Sequence, residues 1–192
     1  MDNYKTILFD LNGVLILDKE NYKASPLEHT IFKRLGLSLK DSSEKEKIKK
    51  ELNWTEKDFW KFVDTSWEGA IPNLWLINVI KNLKEQGYET GIISNTSGLI
   101  MRQVLQNYFG EDLNTLFGAI IISSEVGCLK PEQKIYRIAI ERLKTEPHQT
   151  IMIDDAEEYL TGAKNLGITP ILFVTNEQLE KDLKHLGIIK IT

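Results

Sequence analysis

Ile7-Leu8-Phe9-Asp10-Leu11-Asn12-Gly13-Val14-Leu15 runs three apolar residues straight into an aspartate, with an asparagine and a glycine close behind. An unbroken apolar run predicts a strand buried on both faces, and such strands belong to parallel sheets covered by helices. A strand of this kind delivers its last side chain to the carboxyl edge of the sheet, where open α/β folds bind ligands. Asp10 then sits at that edge, and Gly13 lets the chain turn sharply beside it. Taken alone, the stretch serves equally well as a strand that ends in an aspartate cap, so the rest of the chain decides.

Four further apolar runs lie downstream. Thr90-Gly91-Ile92-Ile93 leads into Ser94-Asn95-Thr96-Ser97, and Ala119-Ile120-Ile121-Ile122 leads into Ser123. Thr150-Ile151-Met152-Ile153 ends in Asp154-Asp155, and Pro170-Ile171-Leu172-Phe173-Val174 forms the fifth run. Helical patterns separate them. One opens at Pro72 with Leu76, Ile80 and Leu83 inward; one spans 98–108; one carries Pro131 early, then Ile135, Ile138, Ala139 and Leu143; the last two span 156–166 and 176–186. Right-handed crossovers make all five strands parallel. The expected architecture is a Rossmann-like five-stranded parallel α/β sheet flanked by helices, with the first strand central.

Between Leu17 and Ala70 the texture changes, with no strand-like run. Ser25-Pro26 starts a helix with Leu27, Ile31, Phe32 and Leu35 on one face, which Gly36 should stop. Residues 41–52 are rich in Glu and Lys and read as a solvated helix. Thr55 and Asp58 form a capping-box pattern ahead of Phe59, Trp60, Phe62, Val63 and Trp67. Residues 17–70 are therefore expected to be a small all-helical cap whose aromatics form its own core. Residues 1–16 and 71–192 would form the α/β core.

The 192 residues suffice for one core domain with an insertion. With 24 basic and 28 acidic residues, net charge −4 and no basic stripe, nothing suggests a nucleic-acid partner. The single cysteine, Cys128, cannot form an internal disulfide; it reads as a packed thiol and suits a reducing cytoplasm. No apolar run approaches the roughly 18 residues a membrane helix needs. The early first strand leaves no room for a signal peptide. The sequence carries no signal for oligomeric state.

The expected sheet edge collects Asp10, Asn12, Ser94, Asn95, Lys130, Asp154 and Asp155. Lys130 alone would read as a solvated charge. Together, three carboxylates, a hydroxyl at a helix N-terminus and a lysine make up the inventory of a magnesium-dependent phosphate site. The adjacent carboxylates of Asp154 and Asp155 repel each other unless a cation is present.

With these motifs assembled, the chain resembles the haloacid dehalogenase-like superfamily of hydrolases. The resemblance rests on Phe9-Asp10-Leu11-Asn12-Gly13-Val14, Ile93-Ser94-Asn95, Lys130-Pro131 and Ile153-Asp154-Asp155-Ala156, in that order, and covers essentially the whole chain. The pattern is also similar to the branch of sugar-1-phosphate phosphatases and the N-terminal phosphatase domain of epoxide hydrolases. The resemblance implies that Asp10 is a nucleophile forming an aspartyl-phosphate. It implies that Ser94 and the amides around Asn95 hold phosphoryl oxygens, and that Lys130 neutralises charge. Asp10, Asp154, Asp155 and the Asn12 carbonyl would hold Mg2+.

Asn12 departs from the family pattern, because phosphatases of this kind place a general-acid aspartate there and an amide transfers no proton. Relatives without that aspartate have Tyr in dehalogenases, Ala in phosphonate hydrolases and Gly in some sugar-1-phosphatases, so its loss does not dictate inactivity. The leading expectation is hydrolysis of a small phosphorylated metabolite. The alternative is a catalytically impaired member that binds a phosphorylated ligand or a protein partner.

Overall fold

The structure, a computed structural model, describes residues 4–190; the outermost residues of the expected core, 1–3 and 191–192, lie outside the described residues. The first strand, β1 (Thr6–Phe9), is buried throughout and leads into the Leu11–Leu15 turn. A short strand, β2 (Ile16–Asp18), follows. Three helices come next: α1 (Pro26–Leu37), α2 (Asp41–Leu52) and α3 (Glu56–Trp67). The chain returns through β3 (Ala70–Pro72), which pairs antiparallel with β2.

The remaining elements alternate. They are α4 (Leu74–Glu85), β4 (Glu89–Ser94), α5 (Gly98–Phe109), the short α6 (Leu113–Leu116) and β5 (Ala119–Ile122). A single helical turn, α7 (Ser123–Val126), precedes α8 (Gln133–Leu143), β6 (Thr150–Asp154), α9 (Glu157–Leu166), β7 (Thr169–Leu172) and α10 (Asn176–His185).

Strands β5-β4-β1-β6-β7 form one sheet in that order, and every pairing is parallel. The first strand is central, as expected. Successive side chains of a strand face opposite sides. Ile7 and Phe9 pack with Leu76, Ile80, Leu105 and Leu179, whereas Leu8 packs with Ile135, Tyr136 and Leu160 on the other face. The buried residues of the insertion, Ile31, Leu35, Ile48, Phe59 and Val63, belong to the first of these clusters, so the insertion shares apolar packing with the core.

Several local expectations are corrected. The β2–β3 ribbon is absent from the sequence reading, because two strands of three residues carry no measurable period. Pro72 does not open α4 but closes β3 opposite Ile16; Asn73 caps the helix, its Oδ1 accepting from the Leu76 amide at 3.2 Å. Gly36 does not stop α1, which runs on to Leu37; its missing side chain lets the Asn95 carbonyl approach to 3.0 Å of where a Cβ would lie. Pro131 lies ahead of α8 rather than within it, in a turn closed by the Glu132 amide donating to the Leu129 carbonyl at 2.8 Å. The capping box at Thr55 forms as expected, with the Asp58 amide donating to Thr55 Oγ1 at 3.2 Å.

Candidate active site

Asp10 follows β1 directly, and its amide donates to the Ile153 carbonyl of the neighbouring strand at 2.8 Å. This bond extends the sheet by one residue and holds the side chain at the carboxyl edge. The chain then folds back on itself: the Leu15 and Ile16 amides donate to the Leu11 carbonyl, and the Gly13 amide donates to the Ile16 carbonyl. Gly13 has φ of +84°, and a Cβ there would collide with the Asp155 carboxylate. Glycine is thus required by both conformation and contact.

Lys130 occupies the centre of the site. Its Nζ lies 2.8 Å from Asp10 Oδ1 and donates to Asp154 Oδ2 at 2.6 Å. The lysine is 2% exposed and Asp154 is fully buried, so this is not a solvated charge. The Nζ also lies 5.0 Å from the centroid of the Tyr159 ring, within range of a cation–π attraction. Asn95 holds the lysine backbone from the opposite loop: its Nδ2 donates to the Lys130 carbonyl at 2.9 Å, and the Lys130 amide donates to its Oδ1 at 2.8 Å. The Asn95 side chain is therefore engaged in positioning Lys130. Tyr159 and this role of Asn95 were missed in the sequence, where 29 and 35 residues separate them from Lys130 and no local pattern links them.

Burial works against the Lys130 ammonium, but Asp10 and Asp154 outweigh it and hold its pKa above the ordinary lysine value. Burial pushes the Asp154 carboxyl up to about 7, Asp10 adds to that push, and Lys130 opposes it. Burial, then Asp10, raises Asp155 as well. Oxygens of Asp10, Asp154 and Asp155 lie within 4.8 Å of one another. One lysine among three carboxylates leaves the cluster short of positive charge, which suits a hard divalent cation.

Ser94 ends β4 and is 2% exposed. The loop beyond it is tied to α7, with the Thr96 amide donating to Ser123 Oγ at 3.0 Å and the Gly98 amide to Ser124 Oγ at 2.9 Å. Ser97 occupies the N-cap position of α5 yet makes no side-chain capping bond. The Leu99 amide instead donates to Asp41 Oδ2 at 3.2 Å, and that oxygen also accepts from the Ser124 hydroxyl at 2.8 Å. Asp41 is the first residue of α2, so the insertion supplies part of the α5 cap. A cap reaching across 58 residues has no local signature in the sequence.

A cavity of about 560 Å3 adjoins this edge, lined by Asn12, Gly13 and Asp155 from the site and by Phe32 and Trp67 from the insertion. The insertion's aromatics are thus divided. Phe59 is fully buried and packs edge-on against Trp60, whereas Phe32 and Trp67, also edge-on at 6.1 Å, face the cavity. Among the described residues no helix is long and apolar enough to cross a membrane.

Comparison with known proteins gives a consistent picture. Glyceraldehyde 3-phosphate phosphatase of Methanothermobacter thermautotrophicus is 31% identical over 105 residues, 54% of this chain and 45% of that protein. Bifunctional epoxide hydrolase 2 of Rattus norvegicus is 33% identical over 92 residues, 47% of this chain and only 16% of that protein. These matches thus span less than half the length of either relative. A HAD family enzyme of Bacteroides thetaiotaomicron, solved in complex with magnesium and inorganic phosphate, shares the fold with a TM-score of 0.73 at 23% identity, over 95% of this chain and 98% of that one. The family model for haloacid dehalogenase-like hydrolase matches residues 4–167, and the chain belongs to that family.

Proposed function

We propose that this protein is a magnesium-dependent phosphomonoesterase of small phosphorylated metabolites, acting through an aspartyl-phosphate on Asp10. The observation that carries the reading is the buried Lys130 between Asp10 and Asp154, with Asp155 completing the carboxylate cluster beside an open cavity. The phosphatase activity and the magnesium of the relatives named above support it.

In the first step an Asp10 oxygen bonds to phosphorus as the ester P–O bond breaks. The electron pair leaves on the substrate oxygen, and Lys130 offsets the charge crowded at the nucleophile. Ser94 and the α5 N-terminus hold the phosphoryl oxygens. Asn12 cannot donate a proton, so the departing oxygen takes one from solvent. In the second step water attacks phosphorus, the Asp10–phosphorus bond breaks, and its electron pair returns to the carboxylate while the water proton leaves to solvent. Asp10, Asp154, Asp155 and the Asn12 carbonyl, which accepts none of the turn's hydrogen bonds described above, would hold magnesium. When bound, the cation neutralises charge on the phosphoryl group so that two anions can meet. The three-helix insertion, residues 17–70, acts as a cap that bounds the cavity.

Two experiments test this reading. Magnesium at about 100 times its Kd is expected to add about 2.7 kcal/mol. That corresponds to a rise in Tm of roughly 5–10 °C for a chain of this size. Asp155→Ala should lose the rise, and the calorimetric heat of magnesium binding, while keeping the metal-free Tm within a few degrees. An undiminished binding isotherm in that variant would remove Asp155 from the ligand set.

The second concerns Asn12. General acid–base help is worth about 10²–10⁴-fold, so Asn12→Asp is expected to raise turnover of alkyl phosphates at least about tenfold. The gain in the phosphorylation step, isolated by rapid quench, should be much smaller for p-nitrophenyl phosphate, whose leaving oxygen needs no proton. Equal acceleration for both esters would mean that protonation is not what Asn12 limits. Asn12 also favours a second reading, a phosphorylated-ligand binder without useful turnover. Ligand binding with no phosphate release in either form would support that reading over hydrolysis.

A further inference from the structure

The wall that α1 gives to the cavity carries two basic residues, His29 and Lys33. Gly36 of the same helix meets the core, since a Cβ on it would lie 3.0 Å from the Asn95 carbonyl. Positions 29, 33 and 36 fall within about 60° of one another around a helix, so a single stripe of α1 faces the loop that follows β4. At 1.5 Å of rise per residue, Lys33 stands about 4.5 Å and His29 about 10.5 Å along the helix axis from the Asn95 contact. Asn95 adjoins Ser94, where the transferred phosphoryl group is proposed to bind.

Both residues are exposed, and among the described residues neither forms an ion pair with a carboxylate. Arg34, on another side of α1, shows the contrast: it pairs with Glu44 at 2.7 Å and with Glu51 at 2.6 Å. The acidic residues that line the cavity are grouped elsewhere. Glu28 accepts from Tyr22 Oη at 2.6 Å and from the Ser25 amide at 2.7 Å. The Tyr22 hydroxyl is pushed up to about 12, first by that bond to Glu28, then by burial, with the charge of Asp18 adding, which sets Asp18 beside Tyr22. Asp155 belongs to the carboxylate cluster that suits the cation. The basic stripe of α1 is therefore left to whatever enters the cavity.

Resting on the phosphomonoesterase reading, we infer that the substrate carries a second anionic group, a carboxylate or a second phosphate, held by Lys33 and His29. The ammonium of Lys33 supplies a point charge and His29 a ring N–H, and hydrogen bonds to an ionised acceptor are the strong kind. The second anion lies roughly 5–10 Å from the loop that holds the first, the length of α1 between Gly36 and His29. Both residues belong to the insertion, so the cap reads the leaving group while the core holds the reacting phosphoryl group.

The test uses the full chain with magnesium and two matched pairs of esters. 3-Phosphoglycerate and glycerol 3-phosphate differ by a carboxylate, and fructose 1,6-bisphosphate and fructose 6-phosphate differ by a second phosphate. Within at least one pair, the wild-type chain is expected to favour the member with the extra anion in kcat/KM. Lys33→Met and His29→Gln should each lower that preference about three- to tenfold, the loss of one charge-assisted contact. Lys33→Arg should largely keep it. The pair whose ratio falls tells a carboxylate from a phosphate. Hydrolysis with ratios unchanged in both variants for both pairs overturns the inference and leaves the phosphatase reading standing. Calorimetric binding of 3-phosphoglycerate or fructose 1,6-bisphosphate that weakens in Lys33→Met, with no phosphate released from any ester, overturns the phosphatase reading and keeps the assignment of Lys33 and His29.

Discussion

Asp10→Asn is expected to lower phosphate release by at least about 10⁴-fold, the scale on which removing a catalytic nucleophile acts. An amide oxygen is a poor nucleophile, and the attacking atom has no substitute: the other two carboxylates of the cluster are assigned to the cation, and Asp154 is already bonded to Lys130 and to the Ala156 amide. The substitution changes shape little, and Lys130 keeps its bond to Asp154, so the fold should persist. Beryllofluoride with magnesium should form a fluorine-NMR-visible adduct with the wild-type chain and none with the variant. Full turnover in Asp10→Asn would exclude the proposed nucleophile.

Lys130→Met should have the largest effect on stability. The methionine matches the lysine stem in bulk but leaves Asp10 and Asp154 facing each other at 6% and 0% exposure with no counter-charge. Removing one partner of a buried ion pair costs about 3–5 kcal/mol. Against a total stability of about 5–15 kcal/mol, that is a large fraction. The pH dependence gives the signature. The folded pKa of Asp154 is raised to about 7 even with the lysine present. A carboxyl raised above its unfolded value of about 3.9 favours the folded state fully below that value and loses the advantage as pH climbs to the folded pKa. Without Lys130 the loss should deepen, so the gap between variant and wild type in metal-free urea unfolding should be wide at pH 7.5 and narrow toward pH 4. A gap independent of pH would mean that the methionine disturbs packing rather than charge.

The carboxyl edge of the sheet was legible in the linear order of residues. Apolar runs that end abruptly in Asp10, Ser94 and Asp154 specify buried parallel strands, because only such strands bury both faces and still deliver polar groups to one edge. The gathering of Asp10, Asp154 and Asp155 at one edge follows from where those runs end, and the cap of α3 at Thr55 follows from neighbours in the chain. What pairs across the chain was decided by the tertiary structure alone. A lysine before a proline reads as solvated until β1 and β6 bring Asp10 and Asp154 to it. Asn95 reads as a loop polar residue until it faces the Lys130 backbone, and the Leu99 amide at the start of α5 finds its acceptor only when α2 brings Asp41 to it. Periodicity and capping are properties of adjacent residues, whereas desolvation and charge pairing depend on whatever the fold packs alongside.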